Sequence, residues 1–486
     1  MSLLDTDTWH GRLYSDGWVQ AAGGTATVRA PATGEEIGQV GVADADDVTR
    51  ASARAAVAQR AWAATSYVER AAVLRRAGAL WEQHAAEVGD WVVRESGSIP
   101  PKGVLETSTA AQECYEAATL PSRSLGEIIP SAQPRLSLAR RLPVGVVGVI
   151  SPFNAPLILA IRSVAPALAL GNAVVLKPDL RTAVCGGLAI ARVFEEAGLP
   201  EGLLHVLPGG VATGEALVAD PHVRVISFTG SSAAGRKVGE AAARHLKRAH
   251  LELGGNSALV VLDDADLDLA VSAGAWGSFL HQGQICMTTG RHLVHESVAE
   301  RYVTELAAKA DHLPVGDPAK EQVALGPIID EGQRDKIHSL VEASVAAGAR
   351  LAAGGTYEGL FYRPTVLADV TPTTPAYAQE VFGPVAPVLT FTDLDEAAAL
   401  AGASEYGLSL GILSRDVMKA MALAERIPSG IVHINDQTVS DEAVAPFGGV
   451  GASGTGSRFG GAAANVEAFT ETQWVTMQGD ITRYPF

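Results

Sequence analysis

The cysteine Cys286 lies in the segment GQICMTTGR, among small and polar residues. Backbone N–H groups in such a segment can lower the pKa of a thiol and hold an oxyanion, so these surroundings suit a nucleophile. A lone cysteine is also commonly a small buried hydrophobic residue. Cys185, in the apolar segment AVCGGLAIA, fits that second interpretation, and Cys114 has no evident partner. The residues around Cys286 leave both interpretations open.

Two other polar residues could act together with a thiol. Asn154, in SPFNAP, lies in a loop stiffened by prolines. Its side-chain amide could donate to a developing oxyanion, or it could bond its own backbone in a turn. Glu252, in LELGGNS, could be a solvent-facing residue of a strand. If it is shielded from water instead, its pKa rises and it can act as a base near neutral pH.

Two further turns could bind a ribose or a phosphate. Lys177, in LKPD, ends a strand-like run and is either a solvated charge or a ligand for a hydroxyl or phosphate group. Gly230 and Ser231, in FTGSSAAGRKVG, precede a predicted helix whose free N–H groups suit a pyrophosphate. The segment does not match the GxGxxG fingerprint, so the sequence signal is weak.

Short apolar runs precede all of these turns and alternate with helical stretches. Residues 44–95 are predicted to be helical, and the runs VGVVGVIS, AVVLKPD, LLHVLPG and VRVISFTG are predicted strands. Further helices are expected around 296–311, 331–347 and 393–402. The alternation predicts an α/β fold with parallel strands and helices on both faces. Ligands bind such sheets beyond the carboxyl ends of the strands, where the polar turns lie.

Composition narrows the class of protein. The chain has 486 residues, 47% of them hydrophobic, so two or three domains are expected. A formal net charge of −17 does not favour binding to nucleic acid. Three widely spaced cysteines argue against a disulfide scaffold or a cysteine zinc site, no other metal site is evident, and a reducing cytoplasm fits.

No membrane segment is predicted. The N-terminus lacks an apolar signal core. Residues 142–161 carry no charge in the stretch LPVGVVGVISPFNAPLILAI, which is long enough to span a bilayer. Because Pro143, Pro152 and Pro156 interrupt it, a strand, a turn and the start of a helix are expected there.

The motifs SPFNAP, LKPD, FTGSSAAG, LELGGNS, GQIC, QEVFGPV and PFGGVGASG, in this order, resemble those of the aldehyde dehydrogenase superfamily. With APATGEEIGQV near the start, they cover almost the whole chain. The resemblance implies a Rossmann-type dinucleotide-binding domain, an α/β catalytic domain and a small β arm for oligomerisation. The implied boundaries are 1–120 with 143–253, 254–467, and 121–142 with 468–486. A homodimer or homotetramer is expected.

The resemblance also implies a mechanism. The thiolate of Cys286 attacks the aldehyde carbon, Asn154 and the Cys286 N–H hold the alkoxide, hydride passes to nicotinamide, and Glu252 activates water to hydrolyse the thioester. The presence of Glu252 favours hydrolysis over transfer to coenzyme A. NAD is the expected cofactor. The implied cofactor-binding residues are Lys177, Gly230, Ser231, Glu380, Phe382, Pro152, Phe153 and Gly254.

One position departs from the family pattern. Many NAD-specific members carry a glutamate three residues after this lysine, where it binds the ribose 2′-hydroxyl and repels a 2′-phosphate. Here that position is Leu180. We therefore expect NAD to work and NADP to be tolerated.

The motifs also imply a substrate pocket, which is apolar apart from one arginine. Its expected residues are Ala155, Leu159, Arg162, Ile285, Met287, Thr438, Val439 and Phe447. A small residue at 155 leaves room for a flat ring, and the loop before Phe447 resembles the benzaldehyde dehydrogenases. An aromatic aldehyde is thus the expected substrate, with vanillin or salicylaldehyde types as alternatives.

Two other interpretations remain open. An inward Arg162 could bind the carboxylate of a semialdehyde, although an orientation toward the cofactor or solvent is expected. A cofactor-independent thiol esterase using Cys286 and Glu252 is the alternative from another enzyme class.

Overall fold

A seven-stranded sheet forms the first half of the protein, which the computed structural model describes over residues 2–486. Its strands, from one edge to the other, are Arg248–Glu252, Val223–Thr229, Val146–Ile150, Ala173–Lys177, Leu204–Val206, Arg12–Ser15 and Trp18–Gln20. The first five are parallel, and the last two run antiparallel at the edge. This arrangement confirms the predicted α/β class.

The strand order creates a crevice at one point of this sheet. From Val146–Ile150 the chain continues to Ala173–Lys177 on one side, and it later returns to Val223–Thr229 on the other. Because the order reverses there, the segments leaving the two central strands diverge and leave a crevice at their carboxyl ends. Those segments begin with SPFN and GSS, so the predicted site residues border the crevice.

A second seven-stranded sheet organises the other half of the chain. Its strands are, in order, Arg350–Ala353, Thr365–Ala368, Val385–Phe391, Thr289–His295, Ser257–Val261, Ser409–Leu413 and Ile431–Ile434. Successive side chains of a strand point to opposite faces of the sheet, so other elements must pack against both faces. Accordingly, Ala258 and Val260 join one buried apolar cluster, whereas Leu259 and Val261 join another.

The C-terminal strand pairs with a distant part of the chain. Thr470–Met477 runs antiparallel to Leu136–Pro143 through eight residue pairs, and Gly126–Ile128 completes this three-stranded sheet. Trp474 is exposed on it. The division into domains and the oligomerisation role of this sheet stay predictions.

Helices cover the two large sheets, and short strand pairs form separate two-stranded sheets. The helices are Thr6–Trp9, Ala45–Ala64, Tyr67–Gln83, Ala85–Ser96, Pro100–Ala117, Pro156–Ala169, Ala189–Glu196, Val211–Ala219, Ser232–Arg244, Leu267–Phe279, Glu296–His312, Glu331–Ala346, Pro375–Ala378, Leu394–Gly402, Val417–Ala424 and Ala462–Phe469. The strand pairs are Thr25–Arg29 with Glu36–Gly41, Tyr357–Glu358 with Phe361–Tyr362, and Tyr406–Gly407 with Val450–Gly451. Single turns are Leu120–Ser122, Leu180–Thr182 and Leu280–Gly283.

The predicted helix in AVCGGLAIARVFEEAG begins differently from expectation. A π turn, Val184–Leu188, precedes the regular helix. A Cβ on Gly186 would lie 2.7 Å from Pro156, so the turn packs too closely for a larger residue. Buried Glu95 accepts the N–H groups of Val184 and Cys185 at 2.9 and 2.7 Å, which satisfies the displaced donors. Cys185 is fully buried, as its apolar surroundings predicted.

The uncharged stretch 142–161 forms the end of one strand, the strand Val146–Ile150, a loop and the start of the helix Pro156–Ala169, as predicted. Within residues 2–486, none of the helices combines the length and the apolar character that crossing a membrane requires.

Candidate active site

A cleft of about 640 Å³ opens at the crevice of the first sheet and reaches into the second half of the protein. All eight residues predicted to bind the cofactor line it, together with Cys286, Asn154 and Leu159. The sequence therefore predicted a set of residues, separated by up to 230 positions, that the fold brings to one cavity. Glu252 and the other predicted pocket residues lie around this lining.

The segment before Cys286 has an unusual backbone. His281, Gln282 and Gly283 are left-handed, with φ of 49°, 55° and 66°. This conformation is strained for the first two residues and persists only where the surroundings enforce it. The buried side-chain amide of Gln282 donates to the carbonyls of Gly97 and Pro327, at 3.1 and 2.8 Å. Contacts with distant parts of the chain therefore hold the backbone that immediately precedes Cys286.

Asn154 is buried and faces this loop. Its Nδ2 donates to the carbonyl of Gln284 at 2.8 Å. The side chain of Gln284 is fixed in turn, because its Oε1 accepts the N–H of Ile329 at 3.1 Å. An amide nitrogen carries two hydrogens, so one orients the Asn154 side chain and the other is available as a donor.

Glu252 ends its strand and is buried with 3% of its surface exposed, so the solvent-facing interpretation was wrong. Neither carboxylate oxygen has a hydrogen-bond partner of normal geometry within residues 2–486. Burial raises the pKa of Glu252 well above its ordinary value, and the charges of Arg162 and Arg458 oppose that rise. A carboxylate in this environment is a stronger base than that of an exposed glutamate.

Cys286 lies between two carboxylates. Burial raises its pKa to about 12, and the charges of Glu380 and Glu252 contribute to the rise, with Arg162 opposing it. The thiol of the ligand-free protein is therefore protonated at neutral pH. To react, it must lose its proton to a neighbouring base or gain a nearby positive charge.

An apolar cluster packs around Cys286. Met287, Phe447 and Leu408 form its buried centre, and Ile285, Val439 and Cys286 pack against them. Thr438 is also buried, but its hydroxyl donates to the carbonyl of Met287 at 2.6 Å. That hydroxyl stabilises the nucleophile segment. Ala155 is half-buried at the start of the helix Pro156–Ala169.

Arg162 does not point to solvent, which corrects one expected orientation. Its side chain is 3% exposed and forms an ion pair with Asp441. The guanidinium lies over the ring of Phe447, 4.5 Å from its centroid. A buried cation needs such a partner because it has lost its hydration. Burial raises the pKa of neighbouring Glu113 to about 8, with Arg162 opposing the rise.

The predicted cofactor residues in the cleft wall are held by local contacts. Ser231 caps the helix Ser232–Arg244, with its Oγ accepting the N–H of Ala234 at 3.3 Å. The carboxylate of Glu380 accepts the N–H of Gly255 at 3.0 Å. A Cβ on Gly254 would lie 2.3 Å from that carboxylate, so a larger residue there would displace the Glu380 side chain. Lys177 ends its strand and is half-buried in the cleft wall.

Several functional positions escaped the sequence analysis. Arg181, Gln333 and Lys336 line the cleft, and Asp441 neutralises Arg162. Gln333 and Lys336 are three residues apart on the helix Glu331–Ala346, so they share a face. That spacing is visible in the sequence, but it does not indicate which face of the helix meets the cleft. Within residues 2–486, no group of three or more His, Cys, Asp or Glu side chains is placed to bind a metal ion.

Comparison with known proteins gives consistent matches over the whole chain. Residues 18–475 match the model of the Aldehyde dehydrogenase family. The chain is 72% identical over 486 residues to the vanillin dehydrogenase of Amycolatopsis sp., covering all of both proteins. It is 51% identical to benzaldehyde dehydrogenase [NAD(+)] of Pseudomonas putida, covering 98% of each. A crystal structure of salicylaldehyde dehydrogenase from Pseudomonas putida G7, complexed with salicylaldehyde, superposes with a TM-score of 0.94 at 34% identity, covering 98% of this chain and 99% of the other.

Proposed function

The chain belongs to the aldehyde dehydrogenase family, and on that premise we propose that it oxidises an aromatic aldehyde to the carboxylic acid with NAD as cofactor. The observation that carries this proposal is the meeting of Cys286, Asn154 and Glu252 where a dinucleotide-sized cleft adjoins an apolar cluster. Each of the three side chains has a separate chemical task at that place.

Cys286 is the proposed nucleophile. Its thiol gives up a proton to a neighbouring base, and the sulfur attacks the aldehyde carbon to form a thiohemiacetal. The free hydrogen of the Asn154 amide stabilises the developing alkoxide, with the Cys286 N–H as second donor. Because Gln284 orients that amide at 2.8 Å, the donor needs no rearrangement during the reaction.

Glu252 is the proposed general base for the second half of the reaction. Its unpartnered, buried carboxylate can accept a proton from water, which then attacks the thioester and releases the acid. The charge of Arg162 counteracts the effect of burial on the pKa of Glu252 and so favours the ionised form that acts as a base. A positioned base of this kind contributes roughly 10²- to 10⁴-fold in rate.

The cleft fits a nicotinamide dinucleotide. Lys177 and the start of the helix Ser232–Arg244 are suited to a ribose and a pyrophosphate, and Glu380 and Phe382 lie at the end near the thiol. When bound, NAD would supply the hydride acceptor that conversion of the thiohemiacetal into the thioester requires. With Leu180 in place of a carboxylate, and with both oxygens of Asp179 accepting from Arg181, NADP is tolerated.

The charge around the apolar cluster favours an aromatic substrate over a semialdehyde. Asp441 already neutralises Arg162, so a substrate carboxylate would compete with an existing ion pair. The ring of Phe447, which belongs to the cluster that contains Cys286, lies under the guanidinium. A flat apolar ring can pack there without displacing a charge.

A ring carrying hydroxyl and methoxy groups is the second candidate substrate, because the relative with 72% identity is a vanillin dehydrogenase. The preference for benzaldehyde over vanillin stays a prediction. We also propose a homodimer or homotetramer, supported by exposed Trp474 and Met477 on the three-stranded sheet. A cytoplasmic location suits the reactive thiol, which a reducing environment preserves.

Initial rates of NADH formation test this proposal with benzaldehyde, vanillin, succinate semialdehyde and hexanal, each with NAD and with NADP. The highest kcat/KM is expected with an aromatic aldehyde. A clear preference for succinate semialdehyde would refute the substrate assignment and leave the Cys286 chemistry intact. Ester hydrolysis without aldehyde oxidation would instead support the thiol esterase.

A further inference from the structure

Arg181 connects the two halves of the protein at the edge of the cleft. It lies in the turn Leu180–Thr182, just after the strand that ends at Lys177. Its Nη1 donates to Asp330 at 2.6 Å, and Asp330 belongs to the other half, 149 residues away. Its Nε and Nη2 donate to the two oxygens of Asp179 at 2.9 and 2.8 Å. The guanidinium is therefore anchored on its own side and reaches across to the other.

The same guanidinium also packs on a ring beside the catalytic asparagine. Its central carbon lies 4.2 Å from the centroid of Phe153, the residue before Asn154. Phe153 meets Phe382 edge to face, with the ring centroids 6.0 Å apart. Phe153, Phe382 and Arg181 all line the cleft. The arginine is thus in contact with one wall of the cleft end where the nicotinamide is proposed to bind.

The contacts of Asp330, the partner of Arg181 in the ion pair, lead to the same aromatic pair, Phe153 and Phe382. Asp330 caps the helix Glu331–Ala346, since its Oδ1 accepts the N–H of Gln333 at 2.8 Å. The side chain of Gln333 donates to the carbonyl of Phe382 at 2.8 Å. The contacts therefore form a closed ring of five residues around the cleft edge: Arg181, Asp330, Gln333, Phe382 and Phe153.

We propose that Arg181 is a positioning residue whose ion pair with Asp330 closes this ring over the dinucleotide and slows the release of reduced cofactor. The inference rests on the proposed function, because it assumes that NADH occupies the cleft. A dinucleotide extending from Lys177 to Cys286 runs beside the ring, and separation of the two halves at that edge requires the Arg181–Asp330 contact to break. Opening of such a contact commonly limits turnover through product release.

The test uses two single variants that change the charge of the cleft in opposite directions. Arg181→Gln removes a positive charge, and Asp330→Asn removes a negative one. Asparagine caps a helix as well as aspartate does, so the second variant keeps the bond to Gln333. If Arg181 merely attracted an anionic cofactor, the two variants would have opposite effects on NADH binding. If it closes the ring, both variants release NADH faster.

Stopped-flow fluorescence measures the rate of NADH dissociation from the wild type and the variants. An acceleration of about fivefold is expected in Asp330→Asn, which loses a partly exposed ion pair, and at least as much in Arg181→Gln, which also loses the cation–π contact. The double variant is expected to be no faster than Arg181→Gln alone. Amide exchange of residues 379–383 in the cofactor-free protein should also increase, which reports on the ring without any turnover.

Arg334→Gln is the matched control. Arg334 lies on the helix Glu331–Ala346, which Asp330 caps. It packs over Tyr357 at 4.8 Å and pairs with Asp335 at 2.7 Å, but it does not line the cleft. It should leave NADH dissociation unchanged. If the wild type binds NADH normally but NADH dissociates from Asp330→Asn at an unchanged or slower rate, the inference about Arg181 is overturned and the proposed function is not. Failure of the wild type to bind NADH would refute the proposed function as well.

Discussion

Asp441 determines whether Arg162 is available to a substrate. The Arg162 side chain is 3% exposed and Asp441 20%, so the pair is largely desolvated. Replacing Asp441 with asparagine keeps the shape of the side chain and removes its charge. The guanidinium then remains buried with no ionised partner from that loop, beside Phe447 and the apolar cluster. We expect Asp441→Asn to convert the neutral pocket into one that attracts a carboxylate.

The size of the effect follows from the bonds involved. A hydrogen bond to a charged group contributes about 1.5–3 kcal/mol, and about 1.4 kcal/mol corresponds to a factor of ten. The ratio of kcat/KM for 4-carboxybenzaldehyde over benzaldehyde should therefore increase by about 10- to 100-fold. The variant should also lose stability, by less than the roughly 3–5 kcal/mol of a fully buried broken pair, since Asp441 is partly exposed.

Glu113 gives this prediction a dependence on pH. Its pKa is raised to about 8 by burial, with Arg162 opposing the rise and Asp441 adding to it, so removing Asp441 lowers that pKa. Below it Glu113 is neutral and Arg162 is free to bind the substrate, whereas above it the Glu113 carboxylate competes. The gain toward 4-carboxybenzaldehyde should therefore shrink as the pH rises from about 6.5 to 9.

Initial rates with both aldehydes, measured across that pH range at saturating NAD, provide the assay. Glu442→Gln is the control, because it removes an exposed charge from the next residue of the same loop. A thermal melt establishes that each variant is folded. A folded Asp441→Asn enzyme with no gain toward 4-carboxybenzaldehyde would refute the placement of Arg162 at the substrate end of the site.

Three further predictions concern the catalytic and cofactor residues. Because the pKa of Glu252 is raised, wild-type turnover should fall as the pH drops below that pKa and the base becomes protonated. Glu252→Gln should slow steady-state turnover by about 10²- to 10⁴-fold and abolish this pH dependence. The variant should still produce a first burst of NADH. Leu180→Glu should raise the ratio of NAD to NADP efficiency, since a carboxylate there repels a 2′-phosphate; an unchanged ratio in competing kcat/KM measurements would show that position 180 does not face the adenosine ribose. Cys286→Ser should abolish aldehyde oxidation yet keep NADH binding by fluorescence titration, and surviving oxidation would exclude the thiol mechanism.

The sequence by itself predicted the α/β class and the positions of the polar turns. Asn154, Lys177 and Ser231 each occur at or just after an apolar run that proved to be a strand. This inference works because parallel strands place their carboxyl ends at one edge, so residues distant along the chain share a location. The motif resemblance added proposed roles to those positions, and it indicated the departure at Leu180.

The tertiary structure alone decided the charge state and the closure of the site. Glu252 is buried and forms a β-bridge with Gly454, about 200 residues later. Arg162 meets Asp441 across 279 residues. Local patterns encode the period of an element and the residue types that suit its ends, but not which distant side chain will approach a given charge. Because burial and pairing depend on that approach, the sequence showed which groups could react, whereas the packing of the two halves set how readily each of them holds a proton.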